Sequence, residues 1–211
     1  MYSLDIDFPT DAIAGGTNLL VVGPSMSGKR GLVLDVLADG YADDDGVVVV
    51  TTQNGPDEVH DGITDRLDVD SVSGLGVVDC TGQEGPASGD DRIRRVSSPR
   101  DLTGIGMESS DLIDMFTDRG YRPRTAFDSL SQLLMYADVK TVFRFLHIFT
   151  GRIGAADALG LYTLDSEAHD EQTAHTIRQL FDGMIQTKVD DDGRAFRVRG
   201  LPGADDGWTR F

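Results

Sequence analysis

Short unbroken apolar runs alternate along this chain with longer segments in which apolar residues return every three or four positions. The first kind predicts strands buried on both faces, and the second predicts helices with one buried side. Residues 19–22 form the first apolar run, after which Leu32, Val33, Val36 and Leu37 fall at helical spacing. The run 47–52 is four valines and two threonines, a β-branched composition suited to a buried parallel strand. Pro56, with Asn54 or Gly55 as cap, opens a polar helix to about Leu67. A short strand follows over 75–79. Residues 81–100 carry Gly, Pro, Ser and charge without period, which predicts a long exposed loop. A helix over about 108–119 turns Leu112, Ile113, Met115 and Phe116 inward. A strand is predicted over 125–128. The strongest helix covers 139–151, with Val142, Phe143, Phe145, Leu146, Ile148 and Phe149. Then come a strand over 158–164, a helix over 171–181, and two strands over 183–188 and 194–199 joined by a turn at 190–193. Ahead of the first strand, Ile6 and Phe8 alternate before a Gly15-Gly16 turn, and an acidic turn spans 42–46. The whole predicts one α/β domain over 1–211, with a mostly parallel sheet, helices on both faces and a C-terminal antiparallel extension.

Between the first strand and the first helix stand Gly23, Pro24, Ser25, Met26, Ser27, Gly28 and Lys29. Strand, glycine-bounded loop and helix in that order make a phosphate-binding P-loop context. Backbone N–H groups of such a loop cradle phosphate oxygens, aided by the positive end of the helix dipole, and Lys29 is placed to reach the β- and γ-phosphates. One position departs from the pattern. The residue after the lysine supplies a hydroxyl to magnesium in P-loop proteins, and here it is Arg30. A guanidinium cannot ligate a metal, but it hydrogen-bonds phosphate and carries part of the charge a cation would bring.

Composition sharpens the picture. The net charge is −17, made of 31 Asp and 5 Glu against 16 Arg and 3 Lys. Such a charge argues against an electrostatic grip on nucleic acid or an anionic membrane. An aspartate-rich surface nearly stripped of lysine resembles proteins of organisms with molar salt in their cytoplasm, where a Debye length of about 3 Å screens self-repulsion. The lone Cys80 excludes an intrachain disulfide and is expected to pack as a small hydrophobe. The acidic opening residues do not resemble a secretory leader, and no apolar stretch approaches the ~18 residues of a membrane span, so a cytoplasmic protein is expected.

A P-loop calls for a second acidic group at the end of another buried strand. Asp128, at the end of 125–128, is the candidate; the alternative is that it caps the next helix. The stretch Asp128-Ser-Leu-Ser131, with Lys140 to His147 and Thr150-Gly-Arg152, is similar to the KaiC-like branch of the RecA superfamily, in which a strand ends in aspartate followed by Ser-Leu-Ser and a long helix. The likeness runs from about residue 12 to 211. It implies a RecA-like ATPase core that binds ATP or ADP, often in rings with ATP between adjacent subunits. Gly23, Gly28 and Lys29 match the Walker A positions, and Asp128 matches the Walker B aspartate that holds Mg2+. The family's catalytic glutamates lie just after the second strand, where this chain reads Thr51-Thr52-Gln53-Asn54. Gln53 can orient a water but cannot act as a general base.

The expectation is therefore a nucleotide-binding protein with weak or absent hydrolysis, acting on a regulatory protein partner or as a homo-oligomer. A working ATPase using Asp128 and Gln53, and an interaction module that keeps the loop only as a turn, are the alternatives; DNA recombination is disfavoured by the charge. Arg92, Arg94, Arg95 and Arg100 are the one basic cluster, open to a role as an arginine finger, a docking site, or a balance to local aspartates. His147 is expected in the core of its helix, and His169 and His175 lack metal-ligand spacing.

Overall fold

A computed structural model of the chain describes residues 1–2, 4, 8–10, 12–42, 45–83 and 90–211. Among these, nine strands form one sheet in the order β4-β3-β2-β5-β6-β1-β7-β8-β9. The strands are β1 (Asn18–Gly23), β2 (Gly46–Thr51), β3 (Leu75–Asp79), β4 (Ile93–Arg95), β5 (Pro123–Asp128), β6 (Leu159–Asp165), β7 (Gly183–Asp190), β8 (Gly193–Arg199) and β9 (Thr209–Arg210). β1 to β7 run parallel, and β8 and β9 add antiparallel at one edge. The α/β architecture with a C-terminal antiparallel extension is as the sequence predicts.

Alternation along the strands splits the core in two. Leu19, Val21, Val47, Val49 and Val77 face helices α1 (Lys29–Ala42) and α2 (Pro56–Leu67). Leu20, Val22, Val48, Val50 and Val78 face α3 (Leu102–Asp118), α4 (Leu130–Tyr136), α5 (Val139–Ala155) and α6 (Glu171–Arg178). The uniformly apolar strands are thus buried on both sides, as parallel strands must be. Within the first core, Arg124 is fully buried; its Nε donates to Asp45 Oδ2 at 2.8 Å and its Nη1 to the Val36 carbonyl at 3.0 Å. Tyr2 lies against Arg122 and Arg124 and donates its hydroxyl to the Asp157 carbonyl at 2.9 Å. At the antiparallel edge, Trp208 lies 4.6 Å from both the Lys188 ammonium and the Arg197 guanidinium.

Several boundaries differ from the sequence reading. α3 starts at Leu102 rather than near 108, because Asp101 caps it by accepting from the Gly104 amide at 2.8 Å, and Gly104 and Gly106 are carried inside the helix. The predicted loop 81–100 contains β4, whose partner β3 supplies backbone bonds that its charged sequence does not advertise. α6 stops at Arg178, three residues early, and β9 was not foreseen. His147 is exposed rather than buried, since the core side of α5 is taken by Val142, Leu146, Phe149 and Ile153. Cys80 is fully buried, and burial first, then the nearby Asp79, pushes its thiol up to about 12. Ile6, Asp43, Asp44 and residues 84–89 of the expected turns and loop lie outside the described residues. Among the described residues, no helix is long and apolar enough to cross a membrane.

Candidate functional site

β1 sends its chain into α1 on one face of the sheet, whereas its neighbour β6 sends its chain into α6 on the other. Between two such strands the connections diverge and leave a crevice at their carboxyl ends, the place where open α/β sheets bind ligands. Here that crevice is a cleft of about 520 Å³ lined by the loop residues Ser25 to Gly31 and by Gln53, Asp128, Ser129, Thr163, Asp165 and Arg194. The topology therefore brings Ser25, Met26, Ser27, Gly28, Lys29, Arg30, Gln53 and Asp128 together. Gly23 and Pro24 contribute their carbonyls just behind.

The loop is shaped by close approaches. Gly23 leaves no room for a side chain, since a Cβ there would meet Thr187 Oγ1 at 2.1 Å, and Thr187 is hydrogen-bonded to Ser27 at 2.6 Å. Gly28 has φ +84°, and a Cβ would also press into Arg194 and Phe211. Lys29, the first residue of α1, donates to the Gly23 carbonyl at 2.8 Å and to the Pro24 carbonyl, and lies 3.8 Å from Asp165. Burial lowers its ammonium pKa despite the opposing pull of Asp165 and Asp128. For Asp165, burial raises the carboxyl, but the Ser25 hydroxyl, the Glu167 amide and the Lys29 charge outweigh it and hold it below the ordinary carboxylate value.

Asp128 ends β5 and faces the cleft. Its Oδ1 accepts from Thr163 Oγ1 at 2.6 Å and its Oδ2 lies 3.4 Å from Arg30 Nε. It caps nothing: the N-cap of α4 is Ser129, across a cis peptide bond from Asp128. Arg30 Nη2 is shielded from solvent and makes no hydrogen bond among the described residues. Gln53, just beyond β2, is exposed at the cleft wall.

The two implied ligands fit unequally. A glycine-shaped loop at a helix start, with Lys29 and the spare donor of Arg30, suits phosphate oxygens. A dication at Asp128 would compete with a guanidinium already beside one oxygen and a hydroxyl on the other, so the donor set does not suit magnesium. Among the described residues, no group of three or more His, Cys, Asp or Glu is placed to hold a metal ion.

The basic cluster stays away from the cleft. Arg92 is bound to Asp90 at 2.7 Å, Arg94 and Arg95 lie 3.8 and 3.7 Å from Glu108 and Asp79, and Arg100 sits over Tyr136. Sequence reasoning missed Thr163, Asp165 and Arg194. Asp165 carried a signal, since it directly follows an apolar run; Arg194, in a charged hairpin, carried none.

The chain belongs to a family of unknown function (DUF7504), whose model matches residues 16–187, more than half of its length. That span holds the loop, Gln53, Asp128 and Asp165, and ends before Arg194. No curated protein matches the chain.

Proposed function

We propose that this chain is a KaiC/RecA-like P-loop protein that binds ATP or ADP through its phosphates, hydrolyses slowly or not at all, and reports nucleotide occupancy to a regulatory protein partner. The observation that carries the reading is the meeting of Lys29, the Gly23–Gly28 loop and the strand-end Asp128 in one crevice at a topological switch point. Phosphate oxygens would take over the Lys29 contacts now made to the loop's own carbonyls, and Arg30 Nη2 would gain an acceptor. The Arg30 charge would meet part of the phosphate charge that magnesium meets elsewhere. Hydrolysis would be slow because the cleft offers Gln53, which can hold a water by hydrogen bonding but cannot take its proton.

The test is calorimetry with ATP and ADP in about 3 M KCl, where the Debye length is about 2 Å, with and without magnesium. Wild type, Lys29→Ala and Arg30→Ser are compared. Wild type is expected to bind equally well in both conditions. Lys29→Ala should weaken binding at least about tenfold, in line with ~1.5–3 kcal/mol for hydrogen bonds to charged groups. Arg30→Ser should make affinity rise with magnesium. Wild type that binds neither nucleotide in any condition would overturn the proposal.

A further inference from the structure

Away from this cleft, on the face of the sheet opposite α1 and α2, helices α3 and α5 leave a groove of about 610 Å³ between them. Its floor is apolar, formed by Leu102, Phe145 and Phe149, and its rim carries Met107 and Ile148, which are 62% and 73% exposed. Large apolar side chains this exposed on two adjacent helices are costly in a chain of net charge −17, and a contiguous patch of this kind marks an interaction surface.

The charges on either side say what covers it. On the groove itself, α3 presents Asp111 and no basic residue, and α5 presents Arg144 and Arg152 and no acidic one. At one end the two walls already pair within the chain, Arg152 with Asp114. Further along, Asp111 makes no ion pair among the described residues, and Arg144 reaches only Thr141 of its own helix, at 3.5 Å. One wall is acidic, the other basic, and the floor between them is apolar.

We propose that a second copy of this chain covers the groove, related to the first by a twofold axis running along it between α3 and α5. A twofold in that direction exchanges the two walls, so α3 of each copy meets α5 of the other and both walls are matched at once, with Asp111 of each facing Arg144 of the other. A partner bearing a single sign of charge would satisfy one wall and be repelled by the other. The two helix pairs together form a four-helix layer that buries Met107 and Ile148. The groove shares no residue with the phosphate cleft, so a copy seated on it leaves that cleft open. Net repulsion between two −17 bodies is long-ranged and screened in molar salt, whereas contacts inside the interface are short, so association strengthens as salt rises.

Sedimentation equilibrium of the full chain in about 3 M KCl, a regime with a Debye length of ~2 Å, tests this. Wild type is expected to be dimeric and to dissociate as KCl is lowered. Ile148→Asp and Asp111→Arg should each weaken the dimer at least about tenfold, as truncating a central contact does. The double exchange Asp111→Arg with Arg144→Asp should restore it, with circular dichroism unchanged throughout. Three results would overturn the proposal: a monomer at all salt concentrations, which leaves the groove to a foreign partner; a dimer indifferent to both single substitutions; or a double exchange that rescues nothing.

Discussion

Lys29 is the residue on which the cleft turns, and its environment sets opposite pH dependences for folding and binding. Burial lowers its pKa below the ordinary lysine value of about 10.4. Between those two values the unfolded chain holds the proton more tightly than the native one, so this residue's contribution makes stability rise with pH across that window. Affinity for ADP should fall across the same window as the cation is lost. Calorimetry and thermal melts between neutral pH and about pH 10 check both, with Lys29→Met as the variant in which both dependences should vanish; an affinity flat across that range would contradict the assignment. The loop residues were readable from the sequence because they are contiguous and their chemistry is local. Thr163 was not, because it enters the cleft only when β6 takes its place beside β1, and the strand-end signal of Asp165 gained its meaning only from the same pairing. Arg194 arrives from still further along the chain, carried by a hairpin whose edge position no periodicity encodes.

Among the elements, α3 is where local sequence signals and tertiary structure disagree most. Its first two turns contain Gly104 and Gly106, poor helix formers, and what holds it is the Asp101 cap together with burial of Ile105. Asp101→Ala should therefore cost about 1 kcal/mol, which for a chain of this size lowers Tm by roughly 2–4 °C; a thermal melt measures it, and no shift would mean burial alone fixes the start. The valine run of β2 and the Pro56 start of α2 were legible to within a residue, because their signals do not depend on neighbours. β4 was illegible for the contrary reason. Its Ile-Arg-Arg sequence is a strand only because β3 offers an edge. α5 was placed from its apolar residues, yet Ile148 proved exposed, since four other apolar side chains already fill its core-facing stripe.

For the molecule as a whole, the dominant quantity is charge. With 36 acidic and 19 basic side chains, self-repulsion works against the compact state wherever it is unscreened. Apparent Tm should therefore climb as KCl rises from about 0.1 M to about 3 M, over which the Debye length falls from ~10 to ~2 Å; scanning calorimetry reads the slope, and a Tm independent of salt would show that local ion pairs have already neutralised the repulsion. The antiparallel edge offers a way to watch this molecule without labels. Trp208 is the only tryptophan, held between the charges of Lys188 and Arg197. The same hairpin brings Arg194 to the glycine-bounded loop ahead of α1. Its indole emission is therefore a built-in optical gauge: a ligand that draws Arg194 inward would shift the hairpin and change the light that one ring gives back.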